Sequence, residues 1–340
     1  MIPTTTLNYT VTSNTKPLQL ITSIALVCGI LISLPFWADP STLRLLVEFM
    51  CYLVLAQMWN FLAGYGGLLS IGQQAFVGIG GYALFVAANH GHINPFVSVL
   101  LGGVVAALFA IPTSKVVFRL HGGYFAVCTW VVAEVYRLGV SNVALVGGGS
   151  GQSLTAMSAI PKSLRESTTY WIACAMAIGS VAFIYVLLRS RFGLALTAIR
   201  DSEVASESQG INVARVKFYV YILSAFGSGL AGALYYLNVL RIAPGSAFDL
   251  AWGVSAIFIV VIGGIGTIEG PIIGAIIFFA MRELLADYGS WYLMLMGLLA
   301  IVVMLKWPKG IWGSLQQRYN VSIFPVRRHV VANSENTHEK

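Results

Sequence analysis

The chain has 340 residues, of which 57% are hydrophobic and 10% are charged, and its formal net charge is +7. Because soluble domains carry roughly 25% charged residues, this composition excludes an ordinary soluble protein and predicts an all-α polytopic bundle of transmembrane helices. A basic excess can also indicate nucleic-acid binding. Here the Lys and Arg residues lie in short connections and in the tail, so the charge follows membrane topology and no nucleic-acid partner is expected.

The N-terminal part begins with a polar segment, residues 1–17, which lacks the pattern of a signal peptide and predicts a mobile cytoplasmic N-terminus. A helix needs about 20 apolar residues to cross the hydrocarbon of a bilayer. Residues 18–37 and 43–63 supply the first two such segments, and they open a transmembrane domain that we expect to extend over residues 18–307.

Residues 64–81 contain seven glycines together with the amides of Gln73 and Gln74. Two interpretations compete. Small residues let helices pack closely, whereas an interrupted helix exposes backbone groups that can line a polar path. Facing lipid would be costly for the two amides, which favours the protein interior or the path for this stretch.

The next apolar segments are residues 75–88, 95–117, 124–140 and 170–188. Within the third, Glu134 and Arg137 are three residues apart and should face one another on one side of a helix. An intramembrane charge indicates function by default, but a pair that only locks packing explains the spacing equally well. The connection 141–169 is long enough to form a surface that could receive a binding protein.

A single long polar stretch, residues 189–217, separates two strongly apolar regions and carries five basic and three acidic side chains. The basic residues predict a cytoplasmic position. Leu194, Ala198, Val204 and Ala205 recur at helical spacing before Gly210, which predicts one short amphipathic helix on the membrane face. The simpler alternative is a solvated connecting loop.

The C-terminal half continues with apolar segments at residues 218–240, 251–262, 272–285 and 291–305, and the basic tail 308–340 predicts a cytoplasmic C-terminus. Together the segments predict ten spans with both termini in the cytoplasm, or eight if a pair of the shorter segments re-enters. Ten spans divided after the fifth would form an inverted repeat with broken helices. In that repeat, the break at residues 64–74 corresponds to the turn at Pro244 and Gly245.

The sequence lacks the motif of ATP binding and two common motifs of catalytic sites. It contains no Gly-x-x-x-x-Gly-Lys-Ser/Thr loop, so ATP hydrolysis would have to come from a partner, and no nucleophile elbow or HExxH pair, so an enzyme is not expected. The four cysteines are isolated from one another, and His90 and His92 lack a third ligand. Neither a metal nor another cofactor is expected.

Four segments resemble the permease subunits of branched-chain amino-acid ABC importers, in the order found in that family. They are NFLAGYGGLLSIGQQAFVGIGGY, RLHGGYFAVCTWVVAEVYRL, AIRDSEVASESQGINVARVKFYVYILSAFGSGLAGALYY and VVIGGIGTIEGPIIGAII. The resemblance implies that the stretch 189–217 is the coupling segment that docks into the ATPase. The residues expected at that contact are Ala198, Arg200, Asp201, Glu203, Ala205, Glu207 and Gly210.

The same resemblance implies the partners and the location of the chain. They are a second, homologous permease subunit, two ATP-binding subunits and an extracytoplasmic substrate-binding protein, all at a bacterial inner membrane. A urea or short-amide permease is the alternative importer, simple-sugar permeases are more distant relatives, and an ion-coupled secondary transporter is the alternative of another class.

A zwitterionic amino acid delivered by a binding protein needs a weakly binding passage lined by amides, hydroxyls and open backbone groups. Glu269 also has a simpler explanation as a cap of the helix that opens at Pro271. The residues that we expect along the path are Gln73, Gln74, Thr129 and Glu269, with Gly66, Gly72, Gly264 and Gly270 giving clearance.

Overall fold

The computed structural model describes residues 8–12, 29–285, 291–319, 324 and 329–333. Helices dominate these residues, and the strands form two short antiparallel pairs, so the expected all-α bundle is confirmed. The N-terminal half comprises β1 Asn8–Thr12, α1 Pro40–Asn60, α2 Gln74–Phe85, α3 Pro95–Val117, α4 Gly123–Ser141, β2 Gln152–Ser153 and α5 Lys162–Arg189. The C-terminal half comprises α6 Arg191–Asp201, α7 Glu203–Ser208, α8 Val213–Val239, β3 Arg241–Ile242, α9 Pro244–Ala247, α10 Leu250–Gly263, α11 Gly270–Leu284, α12 Trp291–Lys306, α13 Gly310–Tyr319 and β4 His329–Asn333.

Each apolar segment predicted from residue 43 onward coincides with a helix, whereas most of the segment 18–37 lies outside the described residues. Among the residues that the structure describes, six helical stretches are long and apolar enough to cross a membrane, and a seventh results if α4 and the bent turns after it form one span. The six are Pro40–Tyr65, Pro95–Val117, Lys162–Arg189, Val213–Val239, Pro244–Gly263 and Met294–Tyr319.

Helix starts follow from local chemistry at the ends of the apolar segments. The side chain of Asn94 accepts a hydrogen bond from the Phe96 amide at 2.9 Å and so caps α3, where Pro95 occupies the first helical position. Asn212 caps α8 in the same way, and Asp249 caps α10 by accepting from the Ala251 amide at 2.8 Å. Capping residues therefore explain why these three helices begin where they do.

Helices α2, α3 and α8 pack against one another along a line of glycines, which we call the glycine seam. A Cβ on Gly80 would collide with the backbone of Gly229, and one on Gly232 would collide with the backbone of Val77. A Cβ on Gly102 would likewise reach the Gly80 carbonyl. Small residues allow this close approach of helix backbones, which is how helices in a membrane gain packing energy without a hydrophobic driving force.

Helix α1 lies at the centre of the bundle and continues into a π-helical turn, Phe61–Tyr65. It contacts α5, α8, α10 and α11. Two ion pairs join it to its neighbours, because Arg44 binds Glu166 of α5 at 2.7 Å and Glu48 accepts from Arg282 of α11 at 2.8 Å. Most of the helix is consequently buried within the protein rather than available to lipid.

Helix α4 lies at the periphery, and its buried residues are Phe125, Thr129 and Ala133. The connection that follows it runs through β2, which pairs with β3 so that Ser153 faces Arg241. Strand β3 comes directly after α8, whereas the stretch 189–217 leads into the first turn of α8. The connection 142–161 therefore packs at the end of α8 that is opposite to the polar stretch.

The two ends of the described chain meet in the pairing of β1 with β4, where Asn8 faces Asn333 and Thr12 faces His329. The rest of the predicted mobile segment 1–17 lies outside the described residues. In the predicted tail, α13 is helical and packs against α10 and α11. Cys51 and Cys174 are buried, and Cys128 is half-buried.

Candidate coupling surface and translocation path

The polar stretch 189–217 forms two helices rather than the single one predicted. Helix α6 ends at Asp201, and Ser202 adopts an extended backbone conformation (φ −162°) between the helices. The Ser202 hydroxyl oxygen accepts a hydrogen bond from the Ala205 amide at 3.2 Å and caps α7. A serine that caps a new helix competes with continuation of the old one, and helical spacing alone does not reveal this competition.

The buried side of α6 also differs from the expected one. Gly193, Leu196 and Ile199 face the protein, whereas Leu194 and Val204 are 70% and 80% exposed. The physical reason is the tight turn from α5, since a Cβ on Gly193 would collide with the Leu188 backbone. Close approach at this glycine turns the face of residues 193, 196 and 199 inward and leaves two large apolar side chains outside.

The predicted contact residues lie on the outer surface of this pair of helices. Ala198 is half-buried, and the six others are exposed: Arg200, Asp201, Glu203, Ala205, Glu207 and Gly210. Glu203 forms an ion pair with Lys217 at 2.5 Å, which joins α7 to α8. Gly210 has a φ of 83°, a left-handed conformation that glycine adopts without steric cost at the end of the helical run.

Arg200 connects the coupling segment to the rest of the bundle. Its Nη1 donates to the Gly64 carbonyl oxygen at 3.2 Å, at the end of α1. At the same place, the Asn60 side chain donates to the Thr267 carbonyl oxygen and accepts from the Gly266 amide, both at 2.8 Å. The break between α10 and α11 is therefore held against α1, next to the coupling segment.

Two further residues of this junction were not predicted from the sequence. Asn60 is 0% exposed, and so is Gln57, whose amide donates to the Ile268 carbonyl oxygen at 2.9 Å. Both lie in a segment that otherwise reads as an apolar span. The cost of burying an amide in such a span was the signal that could have identified them.

Gly264, Glu269 and Gly270 belong to this junction. Gly264 has a φ of 135°, and its Cβ would come within 2.9 Å of the Lys309 carbonyl oxygen; a Cβ on Gly270 would meet the Thr267 hydroxyl at 2.5 Å. Glu269 occupies the N-cap position of α11 without a side-chain capping hydrogen bond, and its carboxylate accepts from the Phe324 amide at 2.8 Å. The position of this carboxylate at the start of α11 agrees with the cap interpretation, and the hydrogen bond adds a contact with the tail.

The other predicted path residues form a second group, around the break before α2. A Cβ on Gly72 would collide with the Thr129 carbonyl group, so the break packs directly on α4. The Thr129 hydroxyl accepts from the Ile71 amide at 3.2 Å and donates to the Ala126 carbonyl oxygen at 2.7 Å. At Gly66, a Cβ would meet the Leu62 carbonyl oxygen of its own helical turn at 2.7 Å and the Val220 side chain of α8 at 3.0 Å, so this glycine gives clearance toward α8.

Gln73 is completely buried, and both the nitrogen and the oxygen of its amide are hydrogen-bonded. Its Nε2 donates to the Ser224 hydroxyl at 3.2 Å, and its Oε1 accepts from the Ser228 hydroxyl at 3.0 Å. The Ser224 hydroxyl in turn donates to the Met58 carbonyl oxygen at 2.9 Å. This network joins α1, the break and α8.

Gln74 is equally buried, but neither atom of its amide has a hydrogen-bond partner among the described residues. Its Oε1 lies beside α10, where a Cβ on Gly253 would approach it to 2.9 Å. A buried amide without partners is destabilising unless something else satisfies it, which marks this position as unusual.

The predicted pair Glu134 and Arg137 is formed within α4, and both side chains are partly exposed on the outer surface of the chain (44% and 33%). Their mutual orientation on one side of the helix is confirmed. Since charges facing lipid are expensive, this side of α4 suits a protein partner or an aqueous cavity better than the hydrocarbon.

Comparison with known proteins decides the family. The family model described as the permease component of branched-chain amino acid transport systems matches residues 41–304. The chain belongs to this permease family. The family therefore makes the chain an ABC-type transport subunit and a multi-pass membrane protein, with the helices described above as its membrane-spanning part.

Individual relatives agree with this assignment. The high-affinity branched-chain amino acid permease protein LivM of Salmonella typhimurium is 29% identical over 83% of this chain and 72% of its own length, and LivM of Escherichia coli is 29% identical over 82% and 71%. The nucleoside ABC transporter permease protein NupC of Lactococcus lactis is 25% identical over 50% of this chain and 59% of its own length. Ribose and fructose import permeases match shorter stretches. No solved structure matches the chain.

Proposed function

We propose that this chain is the membrane permease subunit of an ATP-driven importer for branched-chain or related hydrophobic amino acids. It would work with a second, homologous permease subunit, two ATP-binding subunits and an extracytoplasmic binding protein in a bacterial inner membrane. The observation that carries the proposal is the surface of α6 and α7. There Leu194 and Val204 are exposed beside charged residues, in a segment too polar to enter lipid.

Exposed apolar side chains with a charged rim are typical of a surface that another protein covers. An ATPase subunit docked on Val204 and Ala205 would bury this surface. Its movement would act on α6 and, through the hydrogen bond from Arg200 to the Gly64 carbonyl oxygen, on the end of α1. The break at residues 264–269 would move with the end of α1, because the Asn60 amide donates to one residue of the break and accepts from another.

The coupling role can be tested by replacing Ala205, which is exposed on α7, with glutamate. Ala205→Glu should reduce ATP-driven uptake and co-purification of the ATPase while leaving the permease folded, since residue 205 is exposed. Ala144→Glu makes the same change on an exposed turn beyond α4 and should leave ATPase co-purification unchanged. Normal uptake and normal association in Ala205→Glu would remove the coupling hypothesis.

Sidedness can be tested by cysteine labelling in a background without native cysteines. Ser208 and Ser158 are exposed, whereas Ser206 is only 2% exposed and is unsuitable as a probe. A cysteine at position 208 should react only from the cytoplasm, and one at position 158 only from outside. Labelling of both from one side would overturn the proposed arrangement with both termini in the cytoplasm.

The substrate is best tested on the binding protein. Its affinities for leucine, isoleucine, valine, urea, short amides, a nucleoside and ribose should be highest for the branched-chain amino acids. A preference for urea would favour the short-amide importer, and uptake on an ion gradient without any ATPase would favour a secondary transporter. Either result would replace the proposed function.

A further inference from the structure

A cavity of about 360 Å³ opens at the end of α8 that lies farthest from the coupling surface. Helix α8 has 27 residues and begins beside the coupling segment, so at about 1.5 Å per residue the cavity lies roughly 40 Å away from it. This volume falls within the roughly 300–1,000 Å³ range of small-molecule sites. If the coupling surface faces the cytoplasm, the cavity faces the outside.

One wall of the cavity is aromatic and held in place. The ring of Tyr52 stacks on Trp252 with centroids 4.9 Å apart, and Tyr235 meets Trp252 edge-on at 4.6 Å. The Trp252 indole donates to the Ser246 carbonyl oxygen at 3.0 Å, which fixes its orientation. Such a wall offers flat apolar surface for an aliphatic side chain and negative ring faces for a cation.

Two opposite charges line the same cavity without pairing with one another. No carboxylate lies within 4.0 Å of the Arg241 guanidinium in the part of the chain that the structure describes. Its backbone is held by the pairing of β3 with β2, and a Cβ on Gly151 would collide with the Ile242 carbonyl oxygen. Asp249 is held by its capping bond to the Ala251 amide.

A third polar group lies in the wall of the cavity. Tyr236 is 2% exposed and lines the cavity. Its hydroxyl has Ser246 and Trp252 nearby but no partner at hydrogen-bonding distance and angle among the described residues. Because this hydroxyl oxygen has almost no accessible surface, Tyr236 belongs to the packed wall of the cavity and does not itself face a ligand.

We propose that this cavity is an outward-facing binding site for a free zwitterionic α-amino acid. Arg241 binds the carboxylate, Asp249 attracts the ammonium group, and the aliphatic side chain lies on Tyr52 and Trp252. The identity of the ligand rests on the proposed function, whereas the arrangement of charges does not. The site would hold the amino acid briefly after its release from the binding protein, so its affinity is weak.

The experiment measures binding of radiolabelled leucine to the importer complex purified through this full-length chain, without a binding protein, in nanodiscs of phosphatidylglycerol alone. That lipid carries no amine, so a zwitterionic headgroup does not compete. We expect saturable binding that 4-methylpentanoate and 3-methylbutylamine, which each lack one of the two charges, displace at least about tenfold less well than leucine.

Arg241→Gln and Asp249→Asn should each weaken leucine binding about tenfold or more, because each removes one charge; the asparagine keeps a capping oxygen for α10. Lys162→Gln removes a positive charge at the start of α5, on the same end of the bundle, and should bind leucine normally. Arg241→Gln should also lose the preference for leucine over the amine.

Binding of leucine that is equally strong in Arg241→Gln, Asp249→Asn and the unchanged complex would overturn the site. So would displacement of leucine by phosphatidylethanolamine added to the nanodiscs, which would assign the cavity to a lipid headgroup. Failure of the proposed function gives a different result, because the unchanged complex with its binding protein would then import no amino acid whether or not the cavity binds leucine.

Discussion

The two sides of α2 and of the break before it differ in how their polar groups are satisfied. Toward α8, the Gln73 amide is hydrogen-bonded to Ser224 and Ser228, and the glycine seam brings the backbones together. Toward α9 and α10, Gln74 and the Tyr82 hydroxyl lack hydrogen-bond partners within the described residues, and between them the Phe248 ring packs on Gly78 and stacks on Tyr82.

The difference in hydrogen bonding makes the two contacts of α2 unequal in the energy needed to separate them. Separating α2 from α8 would break the two buried hydrogen bonds of Gln73 and a close-packed seam, each of which is costly. Separation from α10 would lose packing but would expose two polar groups that gain partners from water or from a solute. We infer that a passage opens on the α10 side, while α2 and α8 move together.

The largest loss of stability is expected from a substitution in the glycine seam. Gly80→Leu should lower the free energy of unfolding by about 3 kcal/mol or more, because the side chain would collide with the Gly229 backbone, which cannot give way as a flexible side chain could. Unfolding in detergent, followed by circular dichroism, measures this. Gly179→Leu in α5 is the control, since nothing lies within 4 Å of its Cβ position. Equal loss in both variants would contradict the seam.

A smaller loss is expected at Gln73. Gln73→Leu should lower the free energy of unfolding by about 1–3 kcal/mol, because Ser228 loses its acceptor in a fully buried site and Ser224 loses a donor. The same unfolding measurement applies. Stability equal to that of the unchanged protein would mean that the network carries little energy and that the comparison of the two sides is wrong.

Gln74→Leu should slow transport without lowering stability. Stability should stay equal or rise by up to about 1 kcal/mol, because the variant removes an amide without partners and keeps a similar volume. The rate of ATP-driven uptake should fall with assembly unchanged, because polar lining is lost. If Gln74→Leu transports normally while Gly72→Leu, which would collide with the Thr129 backbone, abolishes assembly, then the passage lies elsewhere.

The smallest change in stability is expected from a substitution of Tyr82. Tyr82→Phe removes a hydroxyl that has no partner in the described chain and should change the free energy of unfolding by less than about 0.5 kcal/mol. Tyr170→Phe is the matched control, since the Tyr170 hydroxyl donates to the Leu31 carbonyl oxygen at 2.9 Å and its loss should cost about 1 kcal/mol. A larger loss in Tyr82→Phe than in Tyr170→Phe would reverse the comparison.

The positions of the helices were predictable, because the bilayer requires long apolar segments and the chain marks their ends with Asn94, Asn212 and similar caps. The surface of the coupling segment was predicted in part. Its charged residues are outside as expected, but its apolar periodicity admits more than one buried face. Whether Leu194 or Leu196 faces the protein depended on the contact of Gly193 with the Leu188 backbone.

The sequence by itself determined that this protein is a helical membrane bundle with one polar surface segment, since hydrophobic content and charge placement act through the solvent and need no tertiary contact. Only the tertiary structure decided the roles of Gln73 and Gln74. These neighbours are chemically identical, yet successive helical positions differ by about 100°. One amide therefore meets the hydroxyls of α8, and the other lies beside Gly253 of α10. It also brought Tyr52 of α1 against Trp252 in the cavity that Arg241 and Asp249 line, because the order and tilt of packed helices depend on contacts between residues far apart in the chain.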